Sequence, residues 1–201
     1  METELHTLEQ HRDAQPACGV AQGLAFGADL PVIPVNSLMA CAERVRLGGK
    51  GMPALPPDVS VLVALDARTG AELGRCRVGH CPTAIEATPD GARLLVACSK
   101  NACVSVVDSL TVKEVGRIGV EVEPQKLAVS PDGTRLYLVS NNDSQGFTVI
   151  DTSDNSVVTT VDLDARDLAV CPDGTRVYLA QDTAVAVVDT TTNAIIATIP
   201  V

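Results

Sequence analysis

Short runs of branched aliphatic residues alternate with short polar segments from about residue 59 to the end of the chain. Lys126-Leu127-Ala128-Val129 is one such run, and residues 157–161 and 195–199 form two others. Runs of about four to eight residues that are rich in Val, Ile and Leu and end at Gly, Pro, Asn or Asp are typical of β-strands. The pattern therefore predicts an all-β fold for this part of the chain.

The runs are organised in a repeat. Three Pro-Asp-Gly triplets lie 42 and 41 residues apart, and an arginine follows four residues after each proline. Pro presets φ, Asp bonds its own backbone and Gly takes a positive φ, so each triplet predicts a tight turn. The triplets are Pro89-Asp90-Gly91, Pro131-Asp132-Gly133 and Pro172-Asp173-Gly174, and the arginines are Arg93, Arg135 and Arg176.

A second aliphatic run in each unit ends in an aspartate, which predicts a further turn. Gly70, Asn155 or Asn193 follows four residues later, and these residue types tolerate the left-handed region. Val112 holds that place in one unit. The aspartates are Asp66, Asp108, Asp151 and Asp189.

Four short strands in a period of about 40 residues are typical of β-propeller blades. The sequence predicts a half blade over 59–80 and blades over 81–121, 122–163 and 164–201. A closed propeller needs about four to eight blades. Either two chains complete one ring, or the N-terminal region covers an end, or the chain is a fragment. We expect a dimer.

These repeats resemble the YVTN-type β-propeller repeat family. Residues 130–139 fit its Ser-Pro-Asp-Gly-x-Arg-Leu-Tyr-Val pattern, and residues 185–201 fit its Asp-Thr-x-Thr-Asn turn and the following β-branched strand. The resemblance covers about residues 59–201. It implies a WD40-like propeller that binds a partner at its loop-lined faces.

Residues 1–58 lack the period. The sequence predicts a disordered tail over 1–16, a helix–strand–helix segment over 17–47 and a Gly/Pro linker over 48–58. Within the middle segment we expect a helix at 17–28, a strand at 31–35 and a second helix at 37–47, capped by Asn36 or Ser37. This is a short α/β pattern ahead of the repeats.

The stretch from Cys18 to Leu38 is similar to a segment of the TsaB family, bacterial proteins of tRNA threonylcarbamoyladenosine synthesis, and the resemblance covers about residues 17–46. Pro57 to Arg68 can be interpreted either as the next strand of that family, which extends the resemblance to residue 68, or as part of the half blade. Asp13-Ala-Gln-Pro16 stands where that family has a glycine-rich loop. The resemblance implies a non-catalytic subunit, with helix 17–28 as the surface for a TsaD-like partner.

Composition narrows the classes of function. The net charge is −10 and Lys and Arg do not cluster, so we expect no direct contact with nucleic acid. No run approaches the ~20 apolar residues that span a bilayer, so we expect no membrane association. Residues 1–13 lack an apolar core, and the seven cysteines are an odd number, which together predict a cytoplasmic chain with reduced thiols.

Candidate chemistry is sparse. Asp162, Asp164 and Asp167 place three carboxylates in one loop that could hold calcium, but they lack the Gly and distal Glu of an EF-hand. His80 is the only histidine in the repeats, and there is no Gly-x-Ser-x-Gly. We therefore expect no catalysis and no cofactor. The sequence favours a binding or scaffold module for a protein or small ligand; the alternatives are a TsaB-like subunit and a truncated fusion without independent function.

Overall fold

The computed structural model describes residues 38–43, 60–66, 69–140 and 146–201, the first range by its backbone alone. These residues form antiparallel strands and one turn of 3₁₀ helix at Ser99–Asn101. The strands are β1 (Leu38–Glu43), β2 (Ser60–Asp66), β3 (Glu72–Val78), β4 (Pro82–Ala87), β5 (Arg93–Cys98), β6 (Cys103–Asp108), β7 (Lys113–Gly119), β8 (Lys126–Val129), β9 (Arg135–Ser140), β10 (Gly146–Asp151), β11 (Ser156–Val161), β12 (Asp167–Val170), β13 (Arg176–Ala180), β14 (Ala184–Asp189) and β15 (Ala194–Pro200).

The strands assemble into sheets in chain order. Three sheets have four strands each, β4–β7, β8–β11 and β12–β15, and a fourth has three strands, β1–β3. Every pair is antiparallel, as expected for strands joined by short turns. Each four-stranded sheet corresponds to one 40-residue unit of the sequence. The all-β fold predicted from the pattern is therefore confirmed in the described residues.

The segment at 38–43 corrects one prediction. The sequence predicts a helix over 37–47, whereas Leu38–Glu43 is a strand paired with β2, from Leu38 opposite Asp66 to Glu43 opposite Val61. Without β1, one edge of β2 would present unpaired N–H and C=O groups. Pairing along this edge outweighs the local capping signal. The other predicted elements of residues 1–58 lie outside the described residues.

Neighbouring sheets pack face to face, and each of the three seams contains one apolar cluster. Leu62, Val96 and Cys98 belong to the cluster between β1–β3 and β4–β7. Leu95 and Leu138 belong to the next cluster, between β4–β7 and β8–β11. The third cluster lies between β8–β11 and β12–β15 and includes Tyr137, Phe147 and Leu179. The arrangement is a row of blades with an aliphatic core in each seam.

Burial is greatest in the two central strands of each blade and lower in its two edge strands. In β9 all residues but the first are buried, and in β10 all but the last. The outer strand β11 is mostly exposed, and all of β15 is exposed. The described residues contain no helix with the length and apolarity needed to cross a bilayer.

Candidate functional site

The Pro-Asp-Gly turns lie at the same end of successive blades and stack on one another. Gly133 and Gly174 have φ of +74° and +71°, a conformation that favours glycine. A Cβ on Gly133 would lie 3.3 Å from Cδ of Pro89, and a Cβ on Gly174 would lie 3.6 Å from Cδ of Pro131. The proline of one blade therefore packs against the glycine of the next.

The aspartate of each triplet closes its own turn. Asp132 Oδ1 accepts a hydrogen bond from the backbone N–H of Thr134 at 3.0 Å and one from the Ser130 hydroxyl at 2.6 Å. These donors, the hydroxyl first, lower the pKa of Asp132. Asp173 accepts from the N–H and hydroxyl of Thr175 at 2.9 and 2.8 Å, and its pKa is also lowered. Both carboxyl groups are therefore ionised at neutral pH.

The second set of aspartates, at the ends of β2, β6, β10 and β14, forms similar turns. Asp108 Oδ1 accepts from the N–H and hydroxyl of Thr111 at 2.8 and 2.7 Å, and Asp151 Oδ1 accepts from the N–H of Ser153 at 2.9 Å. The hydroxyl donors lower the pKa of both aspartates. Side chains and backbone that follow Asp66 and Asp189 make the same kind of contact.

A cavity of about 300 Å³ opens between the second and third Pro-Asp-Gly turns, in the seam between β8–β11 and β12–β15. One wall comes from the turn after β8 and from the start of β9, and the other from the turns after β12 and β14 in the next blade. The first wall contains Ser130, Pro131, Asp132, Thr134, Arg135 and Tyr137, and the second contains Asp173, Gly174 and Thr190. Two of the predicted turns thus combine into one concave polar surface.

Tyr137 forms the floor of this cavity. Its ring is stacked on Phe147, with centroids 5.9 Å apart and planes at 7°, and the residue is only 1% exposed. Tyr137 is one of the residues that line the cavity. Burial raises the pKa of Tyr137, so the hydroxyl remains protonated and able to donate.

Arg135 is positioned by the opposite strand. It lies across from Asp151 in the β9–β10 register, and its guanidinium donates to the Asp151 carboxylate. The same register places Arg93 opposite Asp108, and Arg176 opposite Asp189. The three recurrent arginines therefore lie opposite Asp108, Asp151 and Asp189, and Arg135 forms an ion pair with Asp151.

The last blade leaves one face uncovered. One position in each sheet lies four residues before the aspartate that ends β2, β6, β10 or β14. This position is occupied in successive sheets by Leu62, Val104, Phe147 and Val185. The first three are completely buried against the following blade, whereas Val185 is half-buried. Tyr178 is half-buried and Ala180 is exposed on this face, although Val187 is only 5% exposed.

Cysteines meet in the first seam. Cys98 and Cys103 lie directly opposite each other in β5 and β6, and both are buried. A Cβ on Gly79 would lie 2.8 Å from Sγ of Cys98 and 3.1 Å from Sγ of Cys103, so only glycine fits there. The Cys98 thiol donates to the Val96 carbonyl at 3.4 Å. The proximity of the two thiols lowers the pKa of Cys103 and raises that of Cys98. These thiols pack as core residues.

The three carboxylates considered for calcium lie apart from this site, in and after the connector that follows β11. Asp167 begins β12, and its Oδ1 accepts from the N–H of Leu168 at 2.9 Å. Asp162 and Asp164 precede it in the connector. In the part of the chain that the structure describes, no three His, Cys, Asp or Glu side chains converge as metal ligands.

One feature within each blade and one feature between blades were not anticipated from the sequence. The Ser or Thr after the third-strand aspartate donates its hydroxyl to the carbonyl of the turn glycine, as from Thr152 to Gly133 at 2.5 Å and from Thr190 to Gly174 at 2.7 Å. The cavity itself was also missed. The recurrence of an arginine that begins one strand and an aspartate that ends the next could have signalled their pairing, whereas no signal in one repeat indicates a cavity between two.

Comparison with known proteins finds different similarities for the N-terminal part of the chain and for the repeats. A family model described as TsaD, tRNA N6-adenosine threonylcarbamoyltransferase, matches residues 16–72. Over 50 residues, 25% of this chain, the sequence is 48% identical to the tRNA threonylcarbamoyladenosine biosynthesis protein TsaB of Haemophilus influenzae. The chain spans 18% of the length of that protein. Residues 16–72, which the family model matches, include β1 and β2 of the first sheet.

The repeats resemble a solved structure instead. The Kuenenia stuttgartiensis hydrazine synthase superimposes with a TM-score of 0.66 and 25% identity, over 77% of this chain and 52% of that one. The chain therefore spans about half of this propeller-like neighbour. The partial propeller predicted from the sequence is confirmed as the fold.

Proposed function

We propose that the chain is a non-catalytic propeller module of the YVTN type, in which two copies complete one ring. The observation that carries the proposal is that Val185 is only half-buried, at a position where Leu62, Val104 and Phe147 are completely buried. Uncovered sheet faces of branched aliphatic and aromatic residues favour a further packed layer. The blade seams within the chain provide the geometry for that contact.

The mass of the chain in solution tests this proposal. Size-exclusion chromatography with light scattering is expected to give about twice the chain mass of 20.9 kDa. Val185→Lys buries a charge in the new seam and is expected to yield the monomer. Ile196→Lys is the matched control, because Ile196 is 54% exposed in the outer strand of the same blade. A monomeric wild type, or equal disruption by both variants, rejects ring completion.

A second candidate function rests on the sequence match at residues 16–72. We propose that the segment 17–28, predicted as a helix and outside the described residues, contacts a TsaD-like protein in tRNA modification. Co-elution of the chain with a purified TsaD-type protein supports this function, and the variant Leu24→Asp/Phe26→Asp is expected to abolish co-elution. No co-elution at low ionic strength, or unchanged co-elution of the variant, rejects it.

A further inference from the structure

The buried thiols of the first seam form a pair that the repeat itself does not require. Cys98 ends β5 and Cys103 begins β6, and the two residues lie directly opposite each other. In the next blade the same position of the register pairs Ser140 with Gly146. A blade of this kind therefore folds without sulfur at this position, and the repeat does not explain why two thiols meet here.

The register brings the two cysteines within the range of a disulfide. Directly opposite residues of an antiparallel pair have Cα atoms about 4.5–5.5 Å apart, and disulfides span Cα separations of about 4.4–6.8 Å. Both sulfur atoms also border the space beside Gly79, because a Cβ on that glycine would lie 2.8 Å from Sγ of Cys98 and 3.1 Å from Sγ of Cys103. The absence of a side chain at Gly79 leaves room for the two sulfur atoms to meet.

The two thiols are not equivalent, which gives each one a different role in an exchange reaction. The adjacent Cys98 thiol, and after it the Arg117 guanidinium, lower the pKa of Cys103, although burial opposes them. The neighbouring Cys103 and burial raise the pKa of Cys98. Because the thiolate is the nucleophile, Cys103 is the thiol that reacts first. It also follows the turn that contains the exposed residues Lys100 and Asn101, from which an incoming molecule approaches.

A metal site is a poorer interpretation of this pair. Structural zinc sites use four protein ligands. In the part of the chain that the structure covers, no three His, Cys, Asp or Glu side chains are arranged to hold a metal ion. Two opposed thiols without a further ligand favour thiol–disulfide chemistry instead.

We propose that Cys98 and Cys103 form a reversible redox pair, which a low-molecular-weight disulfide oxidises to a disulfide bond across β5 and β6. The Cys103 thiolate attacks one sulfur of the oxidant, so that a mixed disulfide forms and one thiolate leaves. Cys98 gives its proton to the departing thiolate and attacks the Cys103 sulfur, which breaks the mixed disulfide and releases the second thiol. In total the two cysteines lose two electrons and two protons, and the oxidant is reduced to two thiols. The pair lies within one chain, so this inference is independent of ring completion.

Equilibration of the full chain in buffers of reduced and oxidised glutathione tests the pair. Lys100 lies between the two cysteines, so trypsin places Cys98 in the peptide 94–100 and Cys103 in the peptide 101–113. After an acid quench and alkylation of the remaining thiols, mass spectrometry of the unreduced digest detects the bond as these two peptides linked. We expect the linked peptides to appear at one midpoint of the glutathione ratio. Cys171, which follows β12 and is half-buried, is expected to remain a free thiol over the same range.

The same titration in urea measures whether the fold positions the pair. A disulfide that fits the folded chain stabilises it by constraining the unfolded chain. By linkage, the bond forms more readily in the folded chain. We therefore expect the equilibrium constant for disulfide formation to fall about tenfold when the chain is unfolded.

Two variants complete the experiment. Cys98→Ser introduces the residue that Ser140 supplies in the next blade, and it is expected to abolish the linked peptides and leave Cys103 able to form only a mixed disulfide with glutathione. Circular dichroism of this variant separates a lost bond from a lost fold. Cys171→Ser is the matched control and is expected to leave the equilibrium constant unchanged.

Three results overturn the proposal. The first is that the native chain forms no linked peptides at the most oxidising ratio. The second is an equilibrium constant in urea that equals or exceeds the native value, since the fold would then not position the pair. The third is that Cys98 of the native chain becomes linked to a cysteine other than Cys103.

Discussion

The third blade, β8–β11, and the last blade, β12–β15, are built on the same motif but differ in their surroundings. Each has a Pro-Asp-Gly turn, an Arg opposite an Asp and a tyrosine two residues after that Arg. Tyr137 is 1% exposed and forms part of a seam, whereas Tyr178 is half-buried. The local structure is fixed within a repeat, but burial depends on the next repeat.

This difference distinguishes two contributions to stability, the hydrogen bonds formed within a repeat and the apolar area buried between repeats. Turn hydrogen bonds and strand register recur in both blades, so they depend on local sequence. The apolar contribution of a strand face exists only where a following sheet covers it, because hydrophobic stabilisation scales with the area removed from water. Matched substitutions in the two blades can measure that contribution directly.

The largest expected effect is at Phe147. Phe147→Ala opens a cavity in the seam and is expected to lower the free energy of unfolding by about 3–5 kcal/mol. Val185→Ala, at the matching position of the last blade, is expected to cost less than about 1 kcal/mol in the monomer. Urea unfolding followed by circular dichroism at low protein concentration measures both. Similar losses would show that the last face is covered as fully as the third.

The next effect concerns the stacked turns. Gly133→Ala and Gly174→Ala each place a Cβ on a residue with positive φ, at a cost of about 1–2 kcal/mol. Gly133→Ala is expected to cost more, because its Cβ meets Pro89 at 3.3 Å against 3.6 Å for Gly174 and Pro131. Thermal unfolding measures the order. Pro89→Ala is expected to reduce the excess cost of Gly133→Ala, and a reversed order would contradict the stacking.

The smallest effect is electrostatic. Asp151 has an arginine partner in Arg135, whereas the bonds of Asp189 come from backbone and hydroxyl donors of its own turn. Both pKa values are lowered in the folded chain, so both groups stabilise the fold above the unfolded pKa of about 3.9 and lose that contribution as pH falls through the folded pKa. Asp151→Asn is therefore expected to destabilise more than Asp189→Asn at neutral pH.

The same variants test how the stability of the fold depends on pH. As the pH is lowered below about 4, the wild type loses the stabilisation that each Asn variant already lacks, so all three unfolding midpoints are expected to converge. Urea midpoints measured across the acid range follow this convergence. A gap between the wild type and Asp151→Asn that widens in acid would contradict the role of the ionised carboxylate.

The sequence was informative wherever structure is local to one repeat. The aliphatic runs predicted the strands, and Gly70, Asn155 and Asn193 indeed have positive φ. Contacts between repeats were harder to predict from the sequence. The cavity depends on Tyr137 and Thr134 in one blade meeting Asp173 in the next, and no spacing within a repeat encodes that meeting.

Residues 38–43 show a second limit. Their local pattern, with a capping residue ahead of an apolar segment, favours a helix, yet they pair with β2. The deciding interaction is the open edge of a strand more than 15 residues later in the chain. Long-range backbone pairing of this kind outweighs intrinsic propensity by an amount that a local pattern does not contain.

The seating of each proline on the next glycine has a consequence for how such chains change in length. Both halves of the contact belong to the same tripeptide, so a duplicated unit carries a proline for its successor and a glycine for its predecessor. Gene duplication can therefore insert or remove whole blades without compensating substitutions in the neighbours. A duplication or deletion with an end point inside a unit would separate the tripeptide from the strands that it joins. We therefore expect such chains to gain or lose whole blades.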